Sequence, residues 1–76
     1  SLTFDPLFPP PYVLPVLVLG CEGSLEATRA AGAGKTVYTL RVAFGGLSGV
    51  KVSVGKCASP EAVSLRAGEN ATWACA

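Results

Sequence analysis

Cysteine is the residue whose number and spacing in this chain point to covalent chemistry. Cys21, Cys57 and Cys75 stand 36 and then 18 residues apart, and the chain has no histidine. A mixed cysteine–histidine zinc set or a cysteine–histidine nucleophile pair therefore cannot be built, and three isolated thiols lack the short paired spacing of a structural zinc site. What remains is oxidation to one disulfide with one thiol left over, the chemistry of a secretory compartment. Cys21 closes the run Val16-Leu17-Val18-Leu19-Gly20-Cys21, and Cys75 closes Asn70-Ala71-Thr72-Trp73-Ala74-Cys75. Two strands ended by cysteines suggest a Cys21–Cys75 disulfide across a small β-sandwich. Closing a loop of that length removes roughly 4 kcal/mol of unfolded-state entropy. Cys57, in a loop beside Pro60, is then the free or intermolecular thiol. Cys57 paired with Cys75 is the rival, and it closes a much shorter loop.

The other reactive side chains point away from catalysis. Without histidine the usual general base is missing. The carboxylates Asp5, Glu22, Glu26, Glu61 and Glu69 are scattered, and the one close pair, Glu22 and Glu26, reads as a solvated face. No enzyme, cofactor or metal site is expected. Gly32-Ala33-Gly34-Lys35-Thr36 has the ending of a phosphate-binding loop, but that loop needs a glycine where Arg29 stands and a helix starting at Lys35, where a strand pattern begins. Pro9-Pro10-Pro11-Tyr12 fits the PPxY pattern of WW-domain ligands, a cytosolic use; its alternative is a rigid arm whose Tyr12 packs on a sheet. Asn70-Ala71-Thr72 is an N-glycosylation sequon, placing a candidate glycan on Asn70.

Composition limits the partners. Seventy-six residues make one domain, and a chain this short buries only about 60% of its unfolded surface. Half the residues are hydrophobic and 14% are charged, so apolar surface is left for a partner to cover. The net charge is +1, with Arg29, Lys35, Arg41, Lys51, Lys56 and Arg66 dispersed. Neither nucleic acid nor an anionic membrane finds a concentrated basic surface. The longest apolar run, Val13–Leu19, contains Pro15 and falls far short of the roughly 20 residues of a spanning helix. A start at Ser1 and an end one residue after Cys75 suit a piece of a longer protein.

The elements that must position these residues read as strands. Five of the six prolines fall in residues 1–15, an extended proline-rich entry arm or an edge and not a central strand, with the domain proper spanning 16–76. Val16–Cys21 reads as a buried strand. Glu22–Lys35 allows either two helical turns or a loop. Tyr38, Leu40, Val42 and Phe44 alternate with Val37, Thr39, Arg41 and Ala43, which is strand periodicity. Gly45–Gly49 reads as a turn into Val50–Val54, making 36–54 a hairpin. Ala62–Arg66 is a short strand ended by Gly68. In 70–75, Ala71, Trp73 and Cys75 share one side. Short strands at about ten-residue spacing predict an all-β antiparallel sandwich.

Leu7-Phe8-Pro9-Pro10 followed by Val18-Leu19-Gly20-Cys21 resembles the opening of a constant-type immunoglobulin domain. Ser64 to Ala76 resembles the approach to that family's second disulfide cysteine, with Trp73 where the family carries tyrosine. The resemblance implies an immunoglobulin-like sandwich bridged by Cys21 and Cys75, recognising its ligand through loops or a sheet face. It departs from the family in lacking a core tryptophan a dozen residues after Cys21, and in having no sequence for the final strand. The expectation is a secreted or cell-surface recognition or adhesion domain of a larger receptor. The alternative is a structural subunit of an extracellular assembly, its last strand supplied by a neighbour.

Overall fold

The computed structural model describes residues 2–5, 9–18, 20–30 and 34–75, which form strands and turns with no helix among them. The strands are β1 (Leu2–Phe4), β2 (Tyr12–Val18), β3 (Cys21–Arg29), β4 (Thr36–Val50), β5 (Val52–Val54), β6 (Cys57–Ala58), β7 (Val63–Arg66) and β8 (Asn70–Cys75). β2, β3 and β4 make an antiparallel meander, and β7 and β8 both pair with β4. β1, β5 and β6 make a second sheet, with β1 parallel to β5. Residues of both sheets, Leu25 and Leu40 from the first and Val52 and Val54 from the second, share one buried cluster. The fold is an all-β sandwich, as the strand spacing predicts.

β4 organises the molecule. Thr36 pairs with Cys75 and Arg41 with Asn70, while further along Gly46 pairs with Arg66 and Val50 with Val63. β8 and β7 are thus one line of chain lying antiparallel along all of β4, interrupted at Ala67-Gly68-Glu69. The interruption is itself tied down: Gly68 N–H donates to Val42 O at 2.7 Å, and Val42 N–H donates to Glu69 O at 3.1 Å. Lys51 alone separates β4 from β5, so the chain crosses from the large sheet to the small one in a single residue. Ser59 is the buried polar residue of the small sheet, and its bonds are satisfied. It accepts from Val52 N–H, donates its hydroxyl to Glu61 O, and donates its own N–H to Val52 O.

The inner face of the large sheet is laid out in rows by strand register. Tyr12, Ala27, Tyr38 and Trp73 form one row across β2, β3, β4 and β8, and Leu14, Leu25, Leu40 and Ala71 form the next. Small Ala27 leaves room between the two tyrosines, and Tyr38 stacks on Trp73 with centroids 5.8 Å apart. Leu25 and Leu40 are completely buried.

Several expectations are corrected. Residues 22–29 are neither helix nor loop, since β3 runs through Arg29. Cys21 opens that strand instead of closing the previous one, because the turn falls at Gly20 (φ 81°). Residues 36–54 are not a hairpin: Gly46 and Leu47 pair with Arg66 and Leu65, which keeps β4 extended through Val50. The 1–15 arm supplies β1 and the start of β2, with Tyr12 packed against the core as the rigid-arm reading has it. Pro6, Leu7, Phe8, Leu19, Gly32 and Ala33 lie outside the described residues. Pro15 sits in an edge strand, where its missing N–H is tolerated.

The disulfide is also corrected. It joins Cys57 to Cys75, with Cα atoms 6.0 Å apart, and Cys21 is a buried free thiol. The reason is strand direction. β3 and β8 both run antiparallel to β4 and so lie parallel to each other. Cys21, at the start of β3, stands opposite Gly45, and Cys75, at the end of β8, stands opposite Thr36. Nine residues of strand separate those positions, about 25–30 Å, far beyond the roughly 7 Å that a disulfide spans. The bond still joins the two sheets, because Cys57 lies on β6 and Cys75 on β8.

Candidate interaction face

The outer face of the large sheet is the surface that the core does not use. On β2 it carries Val13, Pro15 and Leu17, on β3 Glu22, Ser24 and Glu26, on β4 Thr39, Arg41 and Phe44, and on β8 Asn70 and Thr72. Register aligns these into rows: Leu17–Glu22–Phe44, then Pro15–Ser24–Arg41–Asn70, then Val13–Glu26–Thr39–Thr72. Val13, Leu17 and Phe44 are 61%, 73% and 67% exposed, the large apolar side chains left exposed among the described residues.

Phe44 reaches this face through a bulge. Strict alternation puts it with Tyr38, Leu40 and Val42, all three of which are buried. Gly23 pairs with Val42 and the preceding Glu22 pairs with Phe44, so Ala43 is an extra residue on β4. One inserted residue moves every later side chain to the opposite face. Gly23 permits the bulge, because a Cβ there would collide with the Arg41 carbonyl. Gly45 follows with φ 75°, and a Cβ there would strike the Gly20 carbonyl. A shallow depression of about 440 Å³ lies along the β3–β4 step, lined by Gly23, Ser24, Ala43, Arg41, Gly68 and Asn70.

Cations and carboxylates on the face are not paired directly across strands. Glu22 stands between Leu17 and Phe44, and Glu26 between Val13 and Thr39. Arg41 occupies the row between them, diagonal to both. The Thr39 and Thr72 hydroxyls approach to 3.3 Å, closing the β4–β8 side.

The remaining candidate residues fall elsewhere or have structural roles. Asn70 is exposed at the start of β8, opposite Arg41, so a glycan there would project from the β8 side of this face. Cys57 is buried and bonded to Cys75, so it is not the odd thiol. Lys35 is followed directly by β4, so the helix that a phosphate loop needs is replaced by a strand. Inside, Tyr12 Oη and Trp73 Nε1 are buried without hydrogen-bond partners. Burial pushes the Tyr12 phenol above its ordinary value, and the neighbouring Tyr38 adds to this. Among the described residues no group of three or more metal-ligating side chains converges, and no helix is long and apolar enough to cross a membrane.

Sequence reasoning missed the outward Phe44 and the roles of Gly23 and Ser59. The available signal was Gly23, a glycine two residues into a strand, which marks a bulge or a close backbone approach. Compared with protein-family models, with curated proteins and with solved structures, the chain matches none of them.

Proposed function

We propose that this chain is a non-catalytic recognition domain of a secreted or cell-surface protein, acting by protein–protein contact through the outer face of its large sheet. The observation that carries this reading is the exposure of Val13, Leu17 and Phe44 on one face while the opposite face saturates the core. Apolar side chains held out from regular strands add little to folding, and contact with another protein accounts for them. An inter-sheet disulfide is compatible with an oxidising compartment, and the exposed Asn70 is accessible to glycosylation in the same setting. Kinship to immunoglobulin domains stays part of the proposal, resting on the sandwich and the inter-sheet bond, although the cysteine that opens the resemblance is not the one bonded.

A second reading, a structural subunit completed by a neighbour's strand, is favoured by the far side of β8, where no strand pairs among the described residues. The edge of β2 suits such addition less well. Pro15, within β2, offers no donor to a further strand.

The test is to make the face polar. Leu17→Ser and Phe44→Ser are expected to leave unfolding stability within about 0.5 kcal/mol of the parent, measured by urea denaturation, while reducing binding of a hydrophobic dye to the native state. A loss above about 1.5 kcal/mol for either variant would show that these residues serve the fold, and the reading would be abandoned.

A further inference from the structure

Resting on that reading of the outer face, we propose that its occupant is a second copy of this chain, docked face to face about a twofold axis that runs diagonally across the strands. The face carries both halves of an ion pair. Arg41 and Glu22 are diagonal neighbours on β4 and β3, about 7–8 Å apart. Phe44 stands directly opposite Glu22 on the adjacent strand and one bulged step beyond Arg41 on its own. By register it stands about 5 Å from Glu22 and about 7 Å from Arg41. A twofold that exchanges the positions of Arg41 and Glu22 must then pass close to Phe44. Docked on that axis, each Arg41 lies over the Glu22 of the second copy, and the two Phe44 rings meet at the centre. An isologous contact needs this kind of self-complementary patch. The strands of the two copies cross steeply, which belongs to the orthogonal class of sheet packing.

The same geometry sets the strength. Four strands at about 4.8 Å and six residues at about 3.3 Å give a face roughly 20 Å on a side. Its footprint, about 400 Å², is half the area that a standard interface buries on each partner. The dimer is accordingly weak, with a dissociation constant on the order of 100 μM. Burial of Phe44 against Phe44 supplies the apolar centre, and the two reciprocal charge pairs fix register more than affinity. A glycan on Asn70 would crowd the β8 side, so the protein to study is the chain without one.

Sedimentation equilibrium between about 10 μM and 1 mM brackets that constant. The expected result is a monomer–dimer equilibrium with dimer dominant at the upper end. Glu22→Arg and Arg41→Glu should each weaken association at least tenfold, and the double variant should recover most of it. Circular dichroism and unfolding midpoints would confirm that all three variants fold. A monomer throughout the range overturns the proposal, and so does a double variant no better than either single one. Neither failure touches the broader reading of the face, which the Leu17→Ser and Phe44→Ser stabilities decide independently.

Discussion

Replacing Cys57 and Cys75 together with serine is expected to lower unfolding stability by about 3 kcal/mol, the loop-closure contribution for a bridge across 18 residues. The loss is large on the scale of this chain. A domain of 76 residues buries only about 60% of its unfolded surface and holds roughly 5 kcal/mol in total. The variant should thus be partly unfolded near 37 °C. Cys21→Ala makes the contrast. Cys21 is buried and unbonded, so its truncation removes one sulfur's packing, about 1 kcal/mol. Urea unfolding under non-reducing conditions compares the two. Had Cys21 been the bonded partner of Cys75, its truncation would cost as much as the double serine variant, and Cys57→Ser alone would be nearly neutral.

Leu40→Ala is expected to cost about 3–5 kcal/mol, enough to leave little native protein. Leu40 is completely buried at the middle of the Leu14–Leu25–Leu40–Ala71 row, on the strand that both β3 and β8 grip. Its neighbours are held by ladders on both sides, so the cavity cannot collapse by moving the strand. Near-ultraviolet circular dichroism of the Tyr38–Trp73 stack, one row away, reports the loss of packing directly. A cost below about 1.5 kcal/mol would mean that the inner face is not the packed core.

Much of this architecture is legible in the chain because alternation is a local property. The runs Tyr38-Leu40-Val42 and Ala71-Trp73-Cys75 declare their inward faces without knowledge of their partners, and the structure places them inward. What escapes a reading of one sequence is pairing. The turn at Gly20 falls one residue before Cys21 and assigns that cysteine to the start of β3. This single boundary decides which end of the sheet the thiol occupies, and hence which disulfide is possible. Gly45 to Gly49 has the composition of a hairpin turn, but β7 pairs across Gly46 and Leu47 and keeps the chain extended. The glycines there serve a bent strand and the close pass of the Gly20 carbonyl instead. Phe44 obeys periodicity in the sequence and breaks it in the fold, because Ala43 is an extra residue only relative to Gly23 on another strand. The candidate face was invisible for that reason: its most exposed members, Leu17 and Phe44, belong to strands whose register the sequence does not print. The carboxylate Glu22 between them was legible as a solvated residue, though not as the centre of an apolar row.

One disulfide, between β6 and β8, links the two sheets, with the third thiol sealed in the core. Peptide mapping of the unreduced protein by mass spectrometry, after alkylation in denaturant, reads this pairing. The expected result is a cross-linked pair of peptides containing Cys57 and Cys75, and a peptide in which Cys21 carries the alkyl label. A cross-link between Cys21 and Cys75 with the label on Cys57 would contradict it, since those two positions stand at opposite ends of β4.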